Sequence, residues 1–297
     1  MFDFYDIGIT KEDYLQKNQV ETENRYNVDE KSRLGLKLHV LASGSKGNAS
    51  IVENSKTGEG ILIDCGITKK AFFEGCEQAG FNPANLQGIL ITHEHSDHTK
   101  GLGVVSRGLK KKGIEIPFVT TEAIAAHSRE IQDLKAENEL VSIKQWTNST
   151  RGGITITPFA TSHDSIESYG FRFEGNNTVL GFITDSGYVS EQAHEALSYC
   201  HILALEANHD EIMLKNGPYP YYIKERIASI RGHLSNKQAA TELENLLWSN
   251  LKHIICMHIS ENNNTYQMPY KMLDEVVRRN NHSARVQSAY QNRIVSI

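Results

Sequence analysis

Four side chains able to hold a metal ion fall within six residues in His93-Glu94-His95-Ser96-Asp97-His98. This H-x-H-x-D-H string is rare by chance, and its nitrogen and oxygen donors suit a cation better than they suit a solvated polar turn. It follows an apolar run at 88–92 and precedes a helix-like segment at 99–112. It should therefore lie where a strand ends and a helix begins, the place at which α/β proteins present chemistry. Alternation along the strand end should point His93 and His95 the same way, with the turn bringing Asp97 and His98 to a neighbouring position. Four donors so close together can serve two cations. A two-cation site needs about three more ligands, preferably at strand ends. Three are available: His163 after a strand at 154–159, Asp185 after one at 179–184 and His258 after one at 253–257. Asp185, with two carboxylate oxygens, is able to bridge.

The elements that must position these residues are short. β-rich runs bounded by Gly and Asn occupy 36–42, 49–53 and 61–64 and read as a strand meander, followed by an amphipathic stretch at 68–79. After Phe118 a helix should start at Thr121, and strands recur at 154–159, 169–173, 179–184 and 202–206. Helical patterns at 191–198, 223–230, 237–248 and 269–279 alternate with strands at 253–258 and 285–289. The second half repeats the texture of the first, which two sheets flanked by helices satisfy. Residues 1–34 carry eight acids and five bases with no clear period, so they are expected to form an extension before one domain at 35–297.

At 297 residues, with 39% hydrophobic and 23% charged positions, the chain can bury a full core without staples. A net charge of -5 excludes a globally basic nucleic-acid coat protein. Met1 to Leu15 lacks the basic start and apolar centre of a signal peptide, and no window matches a membrane span. A cytoplasmic protein, not bound to membranes, is expected. Cys65, Cys76, Cys200 and Cys256 are widely spaced without a C-x-x-C pair, which argues for reduced thiols and against a thiolate metal site.

The order H-x-H-x-D-H, a lone His, a bridging Asp and a final His resembles the metallo-β-lactamase-fold hydrolases, and within them the YycJ/WalJ-type, exonuclease-like group. Further strings carry the likeness: Ser43-Gly44-Ser45-Lys46-Gly47-Asn48, Asn208-His209-Asp210, Gly217-Pro218-Tyr219-Pro220, Gly232-His233-Leu234-Ser235-Asn236 and His258-Ile259-Ser260-Glu261-Asn262-Asn263. It runs from about Leu36 onward, and Lys46 stands where a second small residue is more usual. The resemblance implies an α/β (α+β) fold, a four-layer αββα sandwich with its site along the edge where the sheets meet. It implies that one cation takes His93, His95 and His163, that a second takes Asp97, His98 and His258, and that Asp185 bridges them. Asp64 would orient a ligand histidine. Two divalent transition-metal ions, zinc or manganese with iron as a further option, suit this nitrogen and oxygen set better than magnesium does.

Two cations in such a site make water nucleophilic at neutral pH, so hydrolysis is expected and redox chemistry is not. His233 resembles the extra histidine with which ribonuclease Z-like phosphodiesterases act on the leaving group, the bland reading being a cap for a helix near Ser235. Asp97 and His233 are the residues expected to carry catalysis. Lys100, Arg107, Lys110, Lys111 and Lys112 place five positive charges, with no acid among them, between His98 and Ile114. The stripe suits a phosphate backbone or is a solvated face. Tyr219, Tyr221 and Tyr222 with Lys224 and Arg226 could stack bases and hold phosphate, or pack in the core. Ser43, Ser45 and Asn48 in a small-residue turn, and Asn208 and His209 after a strand, complete the candidate substrate contacts. The reading is a dinuclear metal-dependent phosphodiesterase acting on nucleic acid, DNA rather than RNA, and the resemblance implies a DNA 5′-end exonuclease. The alternatives are a phosphodiesterase for small cyclic or nucleotide-like esters, another hydrolase of the same fold, or a catalytically idle, metal-stabilised partner protein.

Overall fold

A computed structural model describes residues 34–134, 139–145 and 147–297, so the extension expected at 1–34 lies outside the described residues except for Leu34. Strands β1 (Leu36–Ala42), β2 (Ala49–Asn54) and β3 (Gly60–Ile63) form the antiparallel meander. The sheet continues in parallel through β4 (Leu86–Leu90), β5 (Phe118–Thr120) and β6 (Leu140–Ser142), with β14 (Val295–Ser296) on the other side of β1. Parallel neighbours need a crossover. Helix α1 (Lys69–Ala79) supplies the first: Thr68 caps it by accepting from the Ala71 N–H, and Gly80 ends it in the left-handed conformation at φ 70°.

The second sheet has the same plan. Strands β7 (Ser149–Arg151), β8 (Ile154–Ala160), β9 (Tyr169–Gly175) and β10 (Thr178–Ile183) run antiparallel, then β11 (Ile202–Glu206), β12 (His253–Met257) and β13 (Arg285–Ser288) extend β10 in parallel. Helices α6 (Glu191–Leu197), α9 (Asn236–Leu246) and α10 (Gln267–Arg279) cover its outer face. The alternation of β11 shows how the layers hold together. Ile202 and Ala204 join the core shared by both sheets, while Leu203 and Leu205 pack with Leu197, Leu243 and Leu273 of the outer helices. The result is the expected four-layer αββα sandwich. No helix among the described residues is long and apolar enough to cross a membrane.

Local structure departs from expectation at the histidine string. Strand β4 stops at Leu90, and residues 91–95 are irregular before the single turn of α2 (Ser96–Thr99). The helix expected at 99–112 is instead two, α2 and α3 (Leu102–Lys110), parted at Gly101. Tertiary contact explains the break, because a Cβ on Gly101 would lie 2.0 Å from the Ile67 carbonyl oxygen. Hydrogen bonds of 2.8 Å from the Gly101 N–H to the Cys65 carbonyl and from the Cys65 N–H to the His98 carbonyl lock α2 against the β3–α1 connection. The remaining helices are α4 (Glu122–His127), α5 (Arg129–Leu134), α7 (Glu211–Asn216) and α8 (Tyr221–Ala228). Within each sheet the parallel strands bring their carboxyl ends to one edge, and the candidate residues follow the ends of β3, β4, β10, β11 and β12.

Candidate metal centre

Asp64, Asp185 and His258 each follow a strand in left-handed backbone, at φ 57°, 57° and 53°. Residues with a Cβ rarely adopt this conformation unless their surroundings enforce it. All three side chains enter one buried polar cluster. Thr92 donates its N–H to Asp64 Oδ1 at 2.9 Å and its hydroxyl to Asp64 Oδ2 at 2.9 Å, while that hydroxyl accepts from His93 Nδ1 at 2.9 Å. His98 Nδ1 donates to Asp64 Oδ2 at 2.7 Å. On the other side His258 Nδ1 donates to Glu206 Oε1 at 3.0 Å and His163 Nδ1 to the Gly232 carbonyl at 3.1 Å. With Nδ1 so engaged, Nε2 is the ring nitrogen each has left to present to a cation.

Those nitrogens converge. His98 Nε2 lies 3.4 Å from Oδ2 of both Asp97 and Asp185, and His258 Nε2 lies 3.7 Å from Asp97 Oδ2. His163 Nε2 lies 3.3 Å from His95 Nδ1 and 3.8 Å from Asp185 Oδ1. Among the described residues, donor atoms within 4.8 Å of one another form the groups His93, His95, His163; His93, His98, Asp185; Asp97, His98, His258; and Asp185, Glu206, His233, His258. His93 Nε2, His258 Nε2 and Asp185 Oδ2 are buried without a hydrogen-bond partner. Leaving such atoms unpaired is costly, and a bound cation removes the cost, so these residues fit divalent metal ions. No cysteine belongs to these groups, and burial pushes the thiols of Cys76, Cys200 and Cys256 up to about 12.

Burial opposes charge throughout the cluster, and pairing resists it. Burial pulls His98 down, but Asp185, Asp97 and Asp64 together raise it well above the ordinary histidine value. His258 is pushed up to about 10 against burial by Asp185, Asp97 and Glu206. Burial works to raise Asp97, Asp185 and Glu206, yet the surrounding histidines hold all three below their ordinary values. His93 is lowered, by burial first and then by His98, His163 and His95. The carboxylates therefore stay ionised, and protons or cations must balance them.

Glu206 is the residue that sequence reasoning missed. It closes β11 fully buried; Oε1 accepts from His233 Nδ1 at 2.8 Å and His258 Nδ1 at 3.0 Å, and Oε2 accepts from the N–H groups of Ser186 at 2.9 Å and Leu234 at 3.2 Å. Its signal was a carboxylate ending the apolar run Ile202 to Leu205, in step with the inward-facing Ile202 and Ala204. The ring of His233 lies 5.0 Å from that of His163 and 5.1 Å from that of His258. His233 does not cap α9, since Ser235 does so in a capping box with Gln238.

Of the expected substrate contacts, several lie beneath the cluster and not on open surface. Ser43 Oγ accepts from the His258 N–H at 2.8 Å, and Asn48 Nδ2 lies 3.3 Å from Asp97 Oδ2 and 3.1 Å from His98 Nε2. Asn208 Nδ2 donates to the His258 carbonyl at 2.8 Å, and His209 is buried. Ser45 is exposed, Lys224 Nζ donates to the Lys215 carbonyl at 2.8 Å, and Arg226 pairs with Asp164 beside His163. Tyr221 and Tyr222 stand 73% and 69% exposed on α8, which rules out core packing for them.

Residues 60–259 match the family described as Beta-lactamase superfamily domain. Over 245 residues the chain is 35% identical to Exodeoxyribonuclease YycJ of Bacillus anthracis, a match covering 82% of this chain and 90% of that protein. Over 240 residues it is 32% identical to Exodeoxyribonuclease WalJ of Streptococcus pneumoniae, covering 80% and 87%. Among solved structures, the metallo-beta-lactamase fold protein YhfI of Bacillus subtilis aligns with a TM-score of 0.66 over 88% of this chain and 99% of that one, at 18% identity.

Proposed function

Because the chain belongs to the Beta-lactamase superfamily, and within it to the group of the YycJ and WalJ proteins, and is a metal-dependent hydrolase, we propose that it cleaves nucleic-acid phosphodiesters as an exonuclease acting from DNA 5′ ends. The observation that carries this reading is Glu206 Oε1 gripping both His233 and His258. In this reading His93, His95 and His163 would hold one cation, Asp97, His98 and His258 would hold a second, and Asp185 would serve both. When bound, the divalent cations supply Lewis acidity at the phosphoryl group and a nucleophile drawn from water at neutral pH. The chain's own residues do the rest. The Asp97 side chain is 24% exposed against 1% for His98 and 3% for His258, so within its triad it is the member that meets substrate. His233 is held through Nδ1 by Glu206, which offsets the imidazolium charge and leaves Nε2 to pass a proton to the departing 3′-oxygen.

That the relatives YycJ and WalJ are exodeoxyribonucleases supports DNA as the substrate. The exposed Tyr221 and Tyr222 of α8 offer stacking faces for an unpaired strand. The test uses 5′-labelled and 3′-labelled single- and double-stranded DNA and RNA with zinc or manganese added, resolving the first product. A labelled nucleotide released at the outset from 5′-labelled DNA is the expected result. Release from the 3′ end first, or turnover of small cyclic esters without oligonucleotide cleavage, overturns the proposal.

A further inference from the structure

Between the first turn of α1 and the length of α3 runs an open groove of about 620 Å³, lined by Lys69, Lys70, Lys100, Arg107 and Lys111. No acidic side chain lines it, and Ile67, Gly101, Val104 and Gly108 form its floor. All five cationic residues are exposed. A chain with a net charge of -5 therefore gathers five positive charges in one channel, where their mutual repulsion favours a polyanionic occupant.

The groove begins beside the metal centre. Lys100 follows α2, which carries Asp97 and His98, and its Nζ donates at 2.8 Å to the Lys46 carbonyl. Lys46 belongs to the turn whose Asn48 touches both Asp97 and His98. This is not the stripe expected from consecutive sequence. Lys110 pairs with Glu115 at 3.6 Å, and Lys112 Nζ sits 5.4 Å from the centre of the Phe73 ring, so neither lines the groove. Lys69 and Lys70 from α1 take their places, with Lys70 at 3.8 Å from Glu74.

We propose that this groove binds the sugar-phosphate backbone of the nucleic-acid strand whose end lies at the metal centre, an inference that rests on the nuclease reading of that centre. Each lysine or arginine that neutralises a phosphate releases counterions, which makes binding steeply salt-dependent. The test measures fluorescence anisotropy of a labelled single-stranded oligodeoxynucleotide, blocked at both ends by phosphorothioate linkages, against metal-loaded enzyme over a range of salt. Lys69→Gln with Lys111→Gln should flatten the log–log slope by about 1.4, or about 0.7 for each lost contact to a single strand. Lys110→Gln with Lys112→Gln, outside the groove, should leave the slope unchanged. Both double variants should turn over bis(p-nitrophenyl) phosphate, too small to occupy the groove, at the wild-type rate, which also certifies their folding. Equal flattening in the two pairs, or none in the first, overturns the groove while leaving the nuclease reading intact. Failure of that reading looks different: the wild type then leaves unprotected DNA uncut, whatever the slopes.

Discussion

Asp64 and Glu206 serve the cluster in the same role, each accepting from the Nδ1 of a histidine so that Nε2 is left for the cluster. His233 and His258 share Glu206 but should part in function. His258→Ala should cost the protein one cation by elemental analysis. His233→Ala should keep both cations and near wild-type substrate affinity while turnover falls roughly 10² to 10⁴-fold, the usual worth of a general acid. The defect should shrink on p-nitrophenyl esters, whose leaving group needs no proton; loss of a cation from His233→Ala alone would reverse the two assignments. Away from the centre, His201 at the start of β11 accepts from the Val179 N–H at 3.1 Å, and burial, followed by Arg172 and Lys252, lowers its pKa to about 4. The unfolded chain binds this proton more readily, so the stability due to neutral His201 is full above about pH 6.5 and is lost as pH falls toward 4. The loss should reach about 3 kcal/mol in wild type. Subtracting the unfolding curves of His201→Asn, which keeps an acceptor but cannot take the proton, should isolate it; identical pH slopes would refute the assignment.

Helix α2 is a single turn, yet it carries Asp97 and His98, and what holds it is backbone. The Asn48 N–H donates to the Asp97 carbonyl at 2.8 Å, and the Gly66 N–H to the Asn48 carbonyl at 2.8 Å. A Cβ on Gly66 would meet the Asp97 carbonyl oxygen at 1.6 Å, an obstruction with no flexible side chain to yield. Gly66→Ala should therefore cost about 3 kcal/mol in urea unfolding of the metal-free protein, the upper end for overpacking; a cost under about 1 kcal/mol would mean that α2 shifts freely. Such close approaches explain which elements were legible in sequence. The runs that became β1, β8, β11 and α10 showed their type through periodicity or apolar continuity. The three-residue strands β5, β6 and β7 are too short to show a period, and the break at Gly101 answers to Ile67, a contact formed only in the folded chain. Likewise the histidine string was visible as a local cluster, whereas Glu206 acquires its role only when β11 and β12 lie side by side.

Across the whole molecule, the candidate ligands divide between the layers: His93, His95, Asp97 and His98 follow β4 of the first sheet, while His163, Asp185 and His258 follow β8, β10 and β12 of the second. Cations bound among them would cross-link the sheets and favour the folded state, in which alone the ligands converge. Each site stabilises by about 2.7 kcal/mol at a metal concentration 100-fold above its Kd. Chelation should therefore lower Tm by several degrees at about 2 °C or more per kcal/mol, and readdition of zinc or manganese should restore it. A Tm indifferent to chelator would mean that the cations do not span the sheets. The division also orders events during translation. The group His93, His95, His163 is complete in the growing chain well before His258 leaves the ribosome, whereas the group Asp97, His98, His258 waits for that last partner. A polypeptide terminated between residues 163 and 258 thus retains every member of one triad and can never complete the other.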